Sequence, residues 1–220
     1  MAWITRFVVM ISFLALGILV SPEAFGSKFG GKTAEGSARI GESSALFLKL
    51  AHLLSFATAF GSALWVTFIG GIIMFRNLPR HQFGNLQGKM FPAYFSMVSV
   101  CGAICVAAFS LTHPWSSASS VEKLQTGLLV SFLVFTLSNL LIFTPMTMNM
   151  MKLRHKVERE ENIGDEVGRS KNLEVAKRNP KLAEMNKKFG MIHGLSSLAN
   201  LLSFGALAMH SWYLASGLLL

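Results

Sequence analysis

Four long apolar stretches, at residues 50–75, 91–112, 124–143 and 191–214, constrain this chain more than any other feature in it. None contains Lys, Arg, Asp or Glu, and each reaches or exceeds the roughly 20 residues that an α-helix needs to cross a bilayer. Within lipid a single segment can satisfy its own backbone N–H and C=O groups only as a helix. The expected fold is therefore an all-α integral membrane protein built as a four-transmembrane-helix bundle. Composition agrees: only 14% of the 220 residues are charged, against roughly 25% in soluble domains, so the surplus apolar surface needs lipid to cover it.

Before the first span, Arg6 followed by the uncharged run 7–20 and by Ala24-Phe25-Gly26 has the form of a secretory signal, with a charged start, an apolar middle and a small-x-small cleavage site. Residues 1–26 are read as a signal peptide, or as an uncleaved signal anchor. Residues 27–44, rich in Gly and Ser, read as a flexible lumenal linker, and 45–218 as the transmembrane domain. Residues 26–33 also fit a phosphate-binding loop letter for letter. That loop needs a buried strand before it and a sheet-packed helix after it, and neither is expected here.

Charge fixes the orientation. Basic residues cluster in two connections: 76–90, with Arg76, Arg80 and Lys89, and 144–190, with eleven Lys or Arg against seven Asp or Glu. The opposite connections hold only Lys28, Lys32, Arg39, Lys49 and Lys123. The positive-inside rule puts the richer loops in the cytosol, as a signal segment leading the first span also requires. The charged loop 144–190 should contain cytosolic helix, because Asn179-Pro180 reads as an N-cap followed by proline at the first helical position. A net charge of +9 could suggest nucleic acid, but no aromatic-interleaved basic platform accompanies it, so nucleic acid is excluded as a partner.

Two stretches are specific enough to name a family. The run Trp65-Val-Thr-Phe-Ile-Gly-Gly-Ile-Ile-Met-Phe-Arg-Asn-Leu-Pro-Arg-His-Gln-Phe-Gly84, continuing through Gln87, Lys89 and Phe91-Pro-Ala-Tyr-Phe95, resembles a signature of the transmembrane protein 205 family. His193-Gly-Leu-Ser-Ser-Leu-Ala-Asn200 resembles its second signature, and His52-Leu-Leu the start of its first span. The resemblance covers residues 49–209, extends to plant members, and leaves out the leader that animal members lack. It implies a four-helix protein of the secretory and endosomal system, linked in animals to platinum-drug resistance through trafficking or export, and it brings no catalytic mechanism.

The candidate site lies on the cytosolic face, where Arg76, Pro79, Arg80, His81, Gly84 and Lys89 leave the first span while His193, Gly194, Ser196 and Ser197 enter the fourth. These residues are expected to form one basic site for anionic lipid headgroups or an acidic protein partner; simple anchoring at the headgroup layer is the plainer account of the same charges. Gly194 should let two backbones approach closely. Asn139 and Asn200, at similar depth on antiparallel spans, are expected to hydrogen-bond each other. Ser55, Ala59 and Ala63, in small-xxx-small spacing, should serve packing within the bundle rather than dimerisation.

Cys101 and Cys105, together with Met146, Met148, Met150, Met151 and His155, make a soft-metal route conceivable, although methionine is also an ordinary apolar filler. His52, His113 and His210 fall at the lumenal ends of separate spans. No metal or cofactor is expected. The leading functional reading is a non-enzymatic role in trafficking, membrane organisation or adaptor binding, in the endomembrane system or at the plasma membrane. The alternative is a small exporter of soft metals or drug-like solutes. Charged groups are absent from the span centres, which disfavours transport and catalysis alike.

The orientation is directly testable. A glycosylation acceptor inserted into a lengthened loop at residues 113–122 should be modified in microsomes, and one near Gly164 should not. The reverse pattern overturns the orientation.

Overall fold

The computed structural model describes residues 42–217, so the expected signal segment, nearly all of the linker and the last three residues lie outside it. Four helices long and apolar enough to cross a membrane dominate: α1 (Ser44–Asn77), α2 (Arg80–Thr112), α3 (Ser120–Glu160) and, after the short α4 (Ser170–Arg178), α5 (Pro180–Ser216). Among the described residues there is no strand, only an isolated bridge between Pro79 and Val167.

Local chemistry sets the helix ends. At Leu78-Pro79 the chain turns sharply: Leu78 is extended, at φ −104° and ψ 140°, as the residue before a proline prefers. α3 opens on a capping box, in which the Ser119 hydroxyl accepts the Glu122 N–H and the Glu122 carboxylate accepts the Ser119 N–H at 2.7 Å. α5 opens as its sequence predicts, with the Asn179 side chain accepting the Leu182 N–H at 3.0 Å and Pro180 in the first turn. The connections are more helical than expected. Residues 76–90 leave the helix only at the Leu78-Pro79 corner, and 144–190 is helix on both sides of α4. Apart from that corner and the loop 161–169, where Asn162, Gly164 and Gly168 take positive φ, the spans continue as helix past the bilayer. At 1.5 Å per residue, the 41 residues of α3 run roughly 60 Å, about twice the thickness of a hydrocarbon core. Its last turns, beyond residue 143, therefore stand outside the membrane.

Within the bundle α1 packs mainly on α2, and α3 packs on α5 and α2, while α1 and α5 touch only lightly. Ala59, Val98, Cys105, Leu129, Phe132 and Leu207 form the buried centre. Ser55, Ala59 and Ala63 are all buried, which agrees with packing inside the bundle. Gly102 lets α2 approach α3 closely, since a Cβ there would lie 2.8 Å from the Phe132 ring. The face of α5 turned toward α3 carries Ser196, Ser203 and His210 at seven-residue intervals. α3 answers each: Asn139 accepts from Ser196 at 2.7 Å, Thr136 meets Ser203 at 3.2 Å, and Gln125 meets His210 at 2.9 Å.

His210 also meets His52, with the two Nε2 atoms 2.9 Å apart. His52 Nδ1 lies 3.2 Å from the Cys105 carbonyl, which can only accept, so His52 carries its proton there and its Nε2 receives one from His210. His210 Nδ1 is then an acceptor, and Gln125 must turn its NH2 toward it; amide oxygen and nitrogen exchange by a simple flip. His52 and His210 thus tie α1, α2, α3 and α5 together at one end of the bundle, while His113 stays apart, 3.6 Å from Glu122.

The α2–α3 contact is sensitive to volume. Gly102→Val should lower stability by about 1–3 kcal/mol because the fully packed Phe132 ring cannot yield. Gly61→Ala, where a Cβ meets nothing within 4 Å, should be neutral or slightly stabilising. Thermal unfolding of the purified protein in detergent checks both.

Candidate functional site

At the other end of the bundle one carboxylate organises four helices. Glu158, on the part of α3 outside the membrane, is wholly buried. Its Oε1 accepts from Asn172 Nδ2 on α4 at 2.7 Å and from Arg80 Nε on α2 at 2.9 Å, and Arg154 Nε lies 3.3 Å away. Its Oε2 lies 2.9 Å from His81 Nε2. Asn172 passes the connection on, accepting from Asn186 of α5 at 2.8 Å. Charge that could not be buried alone is thereby shared between one acid and two guanidinium groups.

The backbone of the following loop grips the same corner. The Arg80 and His81 N–H groups donate to the Glu166 and Gly164 carbonyls at 2.8 and 2.9 Å. Gly164, at φ +125°, holds a conformation that favours glycine, and a Cβ there would collide with the His81 ring. Partial burial opposes ionisation of Glu166, but the Gly164 N–H, its own N–H and the charges of Lys171 and Arg80 outweigh that and hold its carboxyl below the usual range. His155 lies beside His81, ring centroids 4.2 Å apart. Burial, and then the nearby His81, push its pKa down to about 4, so it is neutral at physiological pH. A small apolar cluster of Val157, Ile163, Val175 and Leu182 closes the far side.

Beside this network, where α1 and α5 diverge, lies a cavity of about 920 Å³. Arg76, Arg80, Arg154 and Arg169 line it at one end, Ser196, Ser197 and Asn200 line the α5 side, and Val66, Phe91, Phe95 and Leu201 line its depth. From Asn186 to Leu201 it follows α5 for roughly 22 Å at 1.5 Å per residue. Arg76 and Arg169 carry no ion pair among the described residues. The Arg154 guanidinium lies 3.9 Å above the Phe189 ring, which stacks in turn on His193.

The sequence-derived site residues divide accordingly. Arg76, Arg80, Gly84, His193, Ser196 and Ser197 line the one cavity. Pro79 is at the corner, bridged to Val167, and His81 is turned behind the wall onto Glu158. Lys89 and Gly194 are exposed and outside the lining. A Cβ on Gly194 would meet nothing within 4 Å, so it mediates no close backbone approach. The expected Asn139–Asn200 bond is replaced by two others. Asn139 takes Ser196, one turn away, while Asn200 donates to Thr67 at 2.8 Å and accepts from Tyr94 at 3.3 Å. The reason is rotational, since Asn200 is off the seven-residue row that faces α3.

Sequence reasoning missed Glu158, Arg154, Asn172 and Arg169. One signal was available: Arg154, His155 and Glu158 fall three and four residues apart on one helix face.

Residues 54–156 match a domain of unknown function (DUF4149). The chain is also 31% identical over 176 residues to transmembrane protein 205 of Danio rerio, covering 78% of this chain and 94% of that one. The chain belongs to the transmembrane protein 205 family. No solved structure matches it. The family match spans the first of the two stretches that carry the sequence resemblance, so the cavity walls contributed by α1, by α2 and by α3 as far as Arg154 fall within it.

The Glu158 network should dominate stability at this end. Glu158→Gln leaves Arg80 and Arg154 without their counter-charge and should cost about 3 kcal/mol or more. Glu184→Gln, which breaks an exposed pair with Lys188, should leave stability essentially unchanged. Chemical unfolding in detergent distinguishes the two.

Proposed function

We propose that this protein acts without catalysis, holding an anionic amphiphile drawn from the cytosolic leaflet in its basic-ended cavity, and serves membrane organisation or trafficking in that way. The observation that carries the reading is the cavity's polarity along its length, with arginines at one end and aromatic and aliphatic side chains at the other. A phosphate-bearing headgroup suits Arg76 and Arg169, which no carboxylate of the described residues engages, and guanidinium groups bind phosphate in bidentate fashion. The apolar remainder of such a molecule suits the walls at Val66, Phe91, Phe95 and Leu201. Its volume lies near the upper part of the 300–1,000 Å³ range of small-ligand sites.

Export of an amphiphilic solute is the second reading, favoured by the same depth along α5. The soft-metal version has less support, because Met148 and Met151 line the cavity whereas Cys101 and Cys105 are buried in the bundle and do not.

Fluorescent phosphatidate and phosphatidylcholine, titrated separately into detergent-purified protein, test the binding reading. Phosphatidate should bind at least about tenfold more tightly. Arg76→Ala with Arg169→Ala should abolish that preference in a salt-dependent manner, since roughly 1 kcal/mol for each of the two charges amounts to about 30-fold. Equal binding of both lipids, or an unaffected double variant, sinks the reading. Release of internal phosphatidate from proteoliposomes would favour export over holding.

A further inference from the structure

We propose that His81, His155 and Glu158 form a binding site for a single first-row divalent transition-metal cation, of which zinc is the working probe. Their ligand atoms all lie within 4.8 Å of one another, although His81 and Glu158 are 77 residues apart. His155 and Glu158, at i and i+3, project from one face of α3, a spacing by which helices present paired metal ligands.

An ion-pair reading explains only part of this cluster. His81 donating to Glu158 is sufficient for that contact. It leaves His155 Nε2 unexplained: the residue is only 4% exposed, and this nitrogen has no hydrogen-bond partner among the described residues. Buried polar atoms without partners are rare in native structures, and each calls for a cause. A cation shared with His81 and Glu158 supplies one, because it would take up the lone pair of that nitrogen.

One ligand pair already stands at a spacing that a metal can bridge. His81 Nε2 and Glu158 Oε2 are 2.9 Å apart, the separation of two ligands at right angles on bonds of about 2.0–2.1 Å. Glu158 keeps its other oxygen for Asn172 and Arg80, the outer contacts that orient a ligating carboxylate. Gly164 fixes one side of the His81 ring, and Gly84 brings its backbone against His155, where a Cβ would lie 3.0 Å from Nε2. Two imidazoles and one carboxylate suit zinc, iron, cobalt or nickel, whereas magnesium and calcium prefer oxygen alone.

Charge sets the strength. Arg80 and Arg154 outnumber Glu158, so a divalent ion raises an already positive cluster, and affinity should be micromolar rather than picomolar. This gives the site a sign that simple ion pairing lacks: removing a guanidinium should tighten metal binding. Arg154 is the one to remove, because Arg80 and Asn172 then still orient the carboxylate.

The test uses the full chain without a histidine tag, in detergent, with bound zinc counted by mass spectrometry across a series of free-zinc buffers. One zinc per chain is expected at micromolar free zinc. His81→Ala and His155→Ala should each weaken binding at least about 100-fold, more than loss of an outer contact does, with elution and thermal unfolding confirming that both variants fold. Arg154→Gln should tighten binding about tenfold, and His113→Ala, at the far end of the bundle, should change nothing. Cobalt should give a visible absorption band that both histidine variants lose. The proposal falls if the unaltered protein retains no zinc at micromolar free metal, or if zinc binds equally well without His81 and without His155.

Discussion

One buried carboxylate decides how the membrane-external end of this bundle is arranged. Glu158 meets α2 through Arg80 and His81, α3 through Arg154, and α4 through Asn172, which reaches α5 through Asn186. Helices projecting from a bilayer lose the lipid that covers their sides, and these carry too many charges for an ordinary apolar core. Shared counter-charge replaces part of that core. The remaining part is small: Val157, Ile163, Val175 and Leu182, with Ala176 and Met185 beside them. Burying Leu182 completely contributes about 1.5–3 kcal/mol, comparable to what a single well-formed contact in the Glu158 network is worth when broken.

The membrane half follows a different rule. Lipid is as apolar as leucine, so hydrophobic burial gives little preference for helix against helix, and packing and hydrogen bonds decide. The three rungs between α3 and α5 and the His52–His210 contact serve that purpose, as does Gly102 against Phe132. The rungs and Gly102 draw α3 to α5 and α2, while the His52–His210 contact joins α1 to α5 at the end away from the basic residues. At the basic end α1 and α5 are joined by the Asn200–Thr67 hydrogen bond and, one turn farther along α5, by Phe204 against Phe68. The cavity opens at the pair of helices that this set of contacts holds least.

Much of this was legible in the sequence, because hydropathy over twenty residues is a property of one segment and needs no partner. The four spans, the Asn179-Pro180 start of α5 and the inward stripe of Ser55, Ala59 and Ala63 were all of that kind. Local signals also carried half of the cavity's basic and hydroxyl residues, since Arg76, Arg80, His193, Ser196 and Ser197 sit at span ends that topology alone brings together. What failed needed rotation about a helix axis. Asn139 and Asn200 were matched by depth, but depth does not say which way a side chain turns. Glu158 was lost in a segment whose many charges read as solvated, where its spacing from Arg154 and His155 was the one local signal to set it apart from Glu160 or Glu161. Only the approach of α2 and α4, distant in sequence, makes it the buried one.

The two wide π turns, Trp65–Gly70 in α1 and Asn139–Phe143 in α3, bear on why the cavity stays where it is. Each inserts extra backbone into a helix that otherwise would keep a fixed rotation, and such turns gather at functional sites because they re-aim side chains locally. Val66 and Thr67, on the first, line the cavity, and Thr144 follows directly on the second. Re-aiming Thr67 gives Asn200 a partner on α1, and Asn139 at the opening of the second turn meets Ser196. The polar groups facing the cavity from α5 are thus held from two sides by helices that have each given up regular geometry at that depth. A bundle of uninterrupted helices would have closed this space with side chains; here the irregular turns, the light α1–α5 contact and the Glu158 network at the mouth keep it open together.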